Sequence, residues 1–347
     1  MNHLIMLVTL RCLDQLKGER SIYSIFHLYK GKRSSQTLQD ANLYNIKPYF
    51  GILPQISRTV LEEIIEYLYK NNYIETFKKS YIITTKGKMY LQSERSLFLN
   101  GWLYSPIASI FWDRLCVLIQ TLSNIIHFNN RFIPIVRDPN VLQWVKNFLT
   151  KQSLPREEIA NTLYRELYNC LSKLTDQQAT IFVRKLTGRK RIGSTNEQIS
   201  NLLSISSHEV QLQFISTLHF ILHQVEKNRE DFQILGQIIT EKKQRIMTLT
   251  ASTQKTYQLL CRDYSIDEIS MIRKLKKNTI EDHVVEIAHQ YSEFSISHFV
   301  DDNQARLIED CIRTMKTNQL KVVKEALSID VSYFQIRLVL AKVGGSV

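Results

Sequence analysis

With 347 residues, 44 % of them apolar and 10 % aromatic, the chain is too long for one small core and too apolar for disorder, so two or three folded domains are expected. Ten glycines and six prolines are few for this length, and apolar residues recur at three and four positions, which predicts a mainly α protein. A formal charge of +12 points to a polyanionic partner, because lysine or arginine placed on a phosphate releases a condensed counterion; a basic solubilising surface is the alternative.

The start, MNHLIMLVTLRCLDQ, has no basic leader region, and its apolar run ends at Arg11, so no export signal is expected. Residues 1–96 read as a winged-helix domain. Leu4–Leu16 and Tyr23–Lys30 are short helical patterns; the polar stretch GKRSSQT leads to another near Leu38–Leu43. After Pro48 and Pro54, Ser57 can cap an amphipathic helix whose Val60, Leu61, Ile64, Ile65 and Leu68 share a face. Tyr73–Phe77 and Tyr81–Thr85 then form β-rich arms around Lys78, Lys79 and Ser80, the pattern of a hairpin with a basic tip. In a winged helix Arg58 would approach DNA and Lys78 and Lys79 would touch phosphate. The competing reading is a docking module whose hairpin tip carries lysine because lysine is easily solvated.

Residues 97–250 form a helical middle domain without an assignable motif. Leu97–Trp112 is the most apolar segment, but it is interrupted by Asn100, Ser105 and Pro106 and falls short of the ~20 residues a membrane span needs. Trp102, Phe111, Trp112, Leu115, Leu118, Ile119 and Leu122 read as core. Helical patterns follow at Val141–Leu149 and Ile159–Leu174, after Pro139 and Pro155. Arg184–Thr195, RKLTGRKRIGST, holds the densest basic cluster: Arg184, Lys185, Arg189, Lys190 and Arg191. Such a loop can track a phosphate backbone, although it has no interleaved aromatics on which bases could stack. Ser207–Val225 is a helix bearing His219 and His223, one turn apart. No third ligand accompanies them, so core histidines are expected rather than a metal site. Glu226–Leu249 reads as a polar helix with Leu235, Ile238, Ile239 and Ile246 at helix spacing, and Thr250–Thr253 as the boundary to the last domain.

Residues 251–347 carry the sharpest pattern. Three apolar blocks, Tyr257, Leu259, Leu260, then Ile266, Ile269, Ile272, then Ile280, Val284, Ile287, predict a helix-turn-helix. Leu275 would anchor its turn, and Asn278 or Thr279 would cap the recognition helix. The first turn of that helix presents Thr279, Glu281 and Asp282, with Lys274, Lys276, Lys277 and Asn278 just ahead.

SIDEISMIRKLKKNTIEDHVVEIA resembles the helix-turn-helix appended to some RecQ-family helicases and carried by their YpbB-like partner proteins in low-GC Gram-positive bacteria. The elements that carry the likeness are Asp267-Glu268-Ile269, Leu275, Thr279-Ile280 and His283. LuxR-type regulators share the cadence, but the tail IDVSYFQIRLVLA is similar to the closing segment of the helicase-associated family. The N-terminal part, including TTKG after the hairpin, is similar to the RecQ winged helix. The resemblance implies a cytoplasmic, nucleoid-associated partner of a RecQ-family helicase. The single-stranded-DNA-binding protein, with its acidic apolar tail, is a further candidate partner.

No phosphate loop is present: Gly31-Lys32-Arg33-Ser34 lacks the upstream glycine and strand. Nucleophile elbow, kinase set and two-metal acidic cluster are absent as well, so neither an enzyme nor a cofactor is expected. Cys12, Cys116, Cys170, Cys261 and Cys311 have no paired spacing, which predicts buried reduced thiols. Residues 1–96 hold 14 basic and 8 acidic residues, 97–250 hold 18 and 12, and 251–347 hold 13 of each. All excess charge therefore lies outside the helix-turn-helix, and the first two regions should supply most of any DNA binding. A DNA-binding accessory protein is the favoured reading; a transcription regulator and a protein-docking scaffold remain the alternatives.

Overall fold

Short polar side chains mark where most helices begin, because the first amide groups of a helix lack intrahelical acceptors. Our computed structural model describes residues 2–94, 96–129, 131–239, 249–291, 293–315, 317 and 319–343. The protein is mostly helical with one small hairpin. The N-terminal elements are α1 (His3–Leu16), α2 (Ile22–Tyr29), α3 (Ser35–Leu43), α4 (Arg58–Lys70), β1 (Ile74–Phe77), β2 (Ser80–Ile83) and α5 (Thr85–Ser93). The middle holds α6 (Gly101–Ile125), α7 (Pro139–Lys151), α8 (Arg156–Leu171), α9 (Asp176–Lys185), α10 (Asn196–Leu203), α11 (Ser207–Lys227) and α12 (Leu235–Ile239). The C-terminal elements are α13 (Ala251–Leu260), α14 (Ile266–Arg273), α15 (Lys277–Gln290), α16 (Asp302–Met315), α17 (Leu320–Ala326) and α18 (Tyr333–Val343).

The Ser57 hydroxyl accepts from Val60 N at 3.2 Å, as its position before an amphipathic pattern predicts. The hairpin is antiparallel, with Phe77 opposite Ser80 and Ile74 opposite Ile83, so Lys78 and Lys79 form a two-residue turn. Lys78 takes a left-handed backbone, φ 52°. The glycine of TTKG is required by packing: a Cβ on Gly87 would lie 2.3 Å from the Tyr73 carbonyl oxygen.

Two compact units organise these elements. One comprises Met1–Val8, Gly51–Glu66 and Tyr90–Ile246, the other Thr9–Phe50, Tyr67–Met89 and Met247–Val347, so the division falls inside α1 and α4. The core of the first is built on α6, whose Tyr104, Phe111, Leu115, Leu118 and Leu122 pack against residues of α7, α8 and α11. The Glu166 carboxylate is buried there and accepts from Ile234 N and Leu235 N at 2.9 and 2.8 Å, which closes the start of α12. In the second unit Val284, Val285, Ile308, Ile312, Ile336 and Val339 are central.

Several expectations change at this level. Pro106 does not interrupt its segment: α6 runs through it for 25 residues, because a proline in the second turn disturbs few of the helix's bonds. By length and composition α6 could cross a membrane, the one such helix among the described residues, with half of that stretch buried in the protein. The helix expected over Glu226–Leu249 is broken, since α11 ends at Lys227 and a 3-10 turn and α12 follow; Ile246 lies outside the described residues. Thr250–Thr253, the expected boundary, coincides with a helix start, with Thr250 capping α13. Cys261 is exposed and Cys311 half-buried, whereas Cys12, Cys116 and Cys170 are buried as expected.

Candidate nucleic-acid interface

The helix-turn-helix forms where the apolar spacing places it. Ser265 and Glu268 make a capping box at the start of α14, and Lys274 ends that helix in a left-handed conformation, φ 52° and ψ 42°. Leu275 N donates to Ser270 O at 3.1 Å, while Ser270 Oγ donates to Leu275 O at 2.6 Å. The next helix opens two residues later. Its cap position is Lys276, without a side-chain bond; Asn278 and Thr279 lie inside the first turn, two and three residues too late to cap it. Ile272, assigned to the core, is 54 % exposed, and Met271 beside it 71 %. Ile269 is fully buried, and Ile266 packs half-buried on the core of the unit.

Most of α15 is covered. Ile280 and all residues from His283 to Ala288 are buried, because α13, α14, α18 and the N-terminal α3 all pack on it. His283 is part of a polar layer: Thr256 Oγ1 lies 2.8 Å from its Nδ1, and Arg273 Nη1 3.2 Å. A guanidinium can only donate, so Nδ1 is the acceptor and the ring is neutral with its proton on Nε2. Burial and the Arg273 charge both hold the His283 pKa below its ordinary value. Glu286 accepts from Thr250 N at 2.7 Å and Thr253 Oγ1 at 2.6 Å.

The exposed part of this element is therefore its turn. Lys274, Lys276, Lys277 and Asn278 are exposed and Thr279 half-exposed. Lys277 pairs with Asp267 at 2.9 Å, so its ammonium is partly neutralised. Both residues line a groove of about 960 Å³ with Asp263, Glu281, Tyr264 and Phe294. That groove is aromatic and acidic, and its carboxylates oppose a phosphate backbone.

On the hairpin, Lys78 and Lys79 are exposed at the turn, and both line a hollow of about 680 Å³ that Lys321, from the first turn of α17, also lines. The base of this hollow is fixed by neighbours: Ser80 Oγ donates to the Arg20 carbonyl, and Arg20 Nε donates to Asp40 at 2.8 Å. Glu19, the carboxylate of the hollow, already accepts from Tyr44 at 2.8 Å and Thr317 at 2.5 Å. Three ammonium groups thus surround a site whose carboxylate, Glu19, is engaged by protein donors, with Lys321 also within 3.7 Å of Glu325. Lys321 was not singled out in the sequence, because nothing local connects KVVKEA with a hairpin some 240 positions earlier.

Arg58 is exposed in the first turn of α4, but the same helix exposes Glu62, Glu63 and Glu66, which makes its outer face a poor phosphate surface. In the basic loop after α9, Arg184, Arg189, Lys190 and Arg191 are exposed. Lys185 is not available: its Nζ donates to Asn196 at 2.5 Å and lies 4.8 Å from the Phe214 ring centroid, and burial lowers its pKa. Of the two histidines on α11, His219 is fully buried and accepts from Asn100 N at 3.2 Å. His223 lies 3.4 Å from the Tyr104 hydroxyl and stacks near Phe98.

Residues 252–340 match the family described as a helix-turn-helix domain, which suggests DNA binding. Over 345 residues the chain is 34 % identical to Protein YpbB of Bacillus subtilis (strain 168), a match covering 97 % of this chain and 96 % of that one. No solved structure matches.

Proposed function

The chain belongs to the family of Protein YpbB, and from that premise we propose that it is a non-enzymatic, cytoplasmic DNA-binding accessory protein working with a RecQ-family helicase in replication, recombination or repair. The observation that carries the DNA reading is the gathering of Lys78, Lys79 and Lys321 around one hollow whose carboxylate, Glu19, is already bonded. Phosphate contact dominates nucleic-acid affinity, and exposed ammonium groups on the hairpin supply it there. Base-reading groups are few on α15, whose helix body is buried, so binding directed at backbone or DNA structure is favoured over an operator reader. The helicase partnership draws on the family resemblance of the C-terminal segment.

Fluorescence anisotropy of the full chain on fork, single-stranded and duplex DNA across a salt series tests the reading. Affinity on at least one substrate, falling steeply with salt, is expected. Absence of binding at low salt on all three overturns it. For the partnership, the separate helicase should co-purify with the chain after nuclease treatment, and failure to do so removes that part.

A second reading, docking of a protein on the helix-turn-helix, is favoured by the acidic aromatic groove that residues of α13, α14, the start of α15 and the start of α18 line. Aromatic faces and carboxylates suit a cationic protein segment better than DNA.

A further inference from the structure

From Thr195 to Ser216 the chain repeats, seventy positions earlier, the construction of Ser265 to Glu286. Thr195 and Gln198 form a capping box as Ser265 and Glu268 do. Ile199, like Ile269, is fully buried in the first turn. Ser200 Oγ donates to Ile205 O at 2.5 Å, matching Ser270 to Leu275 at 2.6 Å, and the return bonds from Ile205 N and Leu275 N are 3.2 and 3.1 Å. Ser204 ends α10 left-handed at φ 53° and ψ 39°, against 52° and 42° for Lys274. The second helix then buries Val210 where the other buries Ile280.

The likeness extends to the buried polar layer. Gln213 and Ser216 on α11 are bonded to Gln177 and Gln178 of α9, at 2.8 and 3.4 Å. At the corresponding positions His283 and Glu286 on α15 are bonded to Thr256 and Thr253 of α13, at 2.8 and 2.6 Å. So α9 stands to α11 as α13 stands to α15. The three helices also have a core of their own, Ile181, Ile199 and Val210, with Leu203, Ile205 and Phe214 packed on it.

The two units differ in what they expose. The connection from α9 to α10 is 186–195, against 261–265 in the C-terminal unit, and its additional length carries Arg189, Lys190 and Arg191. That loop is folded: Gly188 N donates to Arg191 O at 2.9 Å, Ser194 N to Arg184 O at 2.8 Å, and Arg189 N to Ser123 Oγ at 3.0 Å. At the start of α11, Ser207, His208 and Gln211 are half-exposed. Gln211 occupies the position of Glu281, replacing a carboxylate by an amide that can both donate and accept at a base edge. Glu209 is turned away, buried and accepting from Leu4 N at 2.9 Å. The unit's exposed carboxylates stand away from that start: Asp176 and Glu197 open α9 and α10, and Glu226, at the end of α11, accepts from the Tyr104 hydroxyl at 2.8 Å.

We infer that residues 176–227 form a second helix-turn-helix that binds duplex DNA, with the 189–191 loop on the phosphate backbone and the start of α11 at base edges. This rests on the DNA-binding reading and places a second reader within it. It reverses the emphasis of the sequence pattern, since the unit that announces itself least carries the loop cations and the neutral helix start.

The test is a salt series from 50 to 200 mM on the full chain with a duplex oligonucleotide. The triple variant R189A/K190A/R191A should weaken duplex binding at least tenfold and lower the salt slope by about 0.9 per lost contact. H208A/Q211A should leave the slope unchanged while lowering affinity about tenfold for a duplex enriched from a random pool. R189K/R191K keeps the charges and should keep the slope, and thermal unfolding of each variant checks the fold. Wild-type affinity and slope in the triple variant overturn the inference. K78A/K79A/K321A separates the two proposals: if the wild type binds DNA and only this variant weakens it, the second unit is not a reader and the general reading stands. If the wild type binds no DNA, both fall.

Discussion

Arg337 on α18 donates to Asp282 on α15, so one of the two acidic residues at the start of the supposed recognition helix is occupied in holding the unit together. The same guanidinium donates to Ser35 Oγ at 3.2 Å. The Gln39 carboxamide, oriented with its oxygen toward it, accepts from Nε and Nη2 at 2.9 Å each. One side chain thereby joins α3, α15 and α18. Arg337→Ala is expected to lower stability by about 2 kcal/mol, because buried partners lose a charge-assisted donor. Asp282, 41 % exposed, recovers part of its loss from water. Urea unfolding of the full chain measures this; Arg337→Lys should restore less than half, since an ammonium cannot reproduce the fork.

How much of this could be read from sequence follows from the range of each signal. The helix start at Ser57, the hairpin around Lys78 and the turn at Leu275 are short-range devices, and they are where the pattern predicts them. The covering of α15 by α3 is not legible, because α3 is a polar-looking nonamer, SQTLQDANL, whose burial depends on a helix some 240 positions later. Ile272 misleads for a related reason: in an eight-residue helix Ile266 and Ile269 suffice to anchor the inner face, and the periodic pattern counted three. The match of α9–α11 to α13–α15 is faint in the sequence because Ser204 and Ser206 stand where Lys274 and Lys276 do, and the bonds of the turn carry it instead.

His219 makes the first unit sensitive to acid. It is fully buried, its Nδ1 accepts from Asn100 N, and burial pushes its pKa down to about 3. An unfolded histidine titrates near 6.5. Between those values the unfolded state takes up a proton that the folded state refuses, so this stabilising contribution is complete above about pH 6.5. It falls by about 1.4 kcal/mol for each pH unit below. His219→Gln should be less stable at pH 8 yet lose less between pH 6.5 and 4. Urea midpoints at pH 8, 6 and 5 give the comparison, and parallel slopes for variant and wild type would assign the acid response elsewhere.

Gly193 fixes the basic loop against the end of α9. A Cβ there would sit 2.1 Å from the Lys185 carbonyl oxygen, backbone that cannot yield without moving the loop. Gly193→Ala should therefore shift Arg189, Lys190 and Arg191 while leaving every charge in place. Duplex affinity is expected to fall about threefold to tenfold, with a stability loss of about 1 to 3 kcal/mol. Anisotropy and thermal unfolding read the two effects. An unchanged affinity in a destabilised variant would mean that the loop's position does not matter to binding.

The acidic groove provides a separate check on where DNA contacts this protein. Asp267 holds Lys277 in an exposed pair that water screens, and Glu281 lines the same groove. If α15 opened onto a phosphate backbone, removing these carboxylates would strengthen binding, because each relieves repulsion and Asp267→Asn also releases a cation. With α15 covered by α3, α13 and α18, and with the exposed cations of the hairpin and the 189–191 loop elsewhere, D267N/E281Q should change duplex affinity by less than about twofold. A gain of tenfold or more would move the DNA back onto the C-terminal helix-turn-helix and leave the groove as an inhibitory rim rather than a surface for a protein partner.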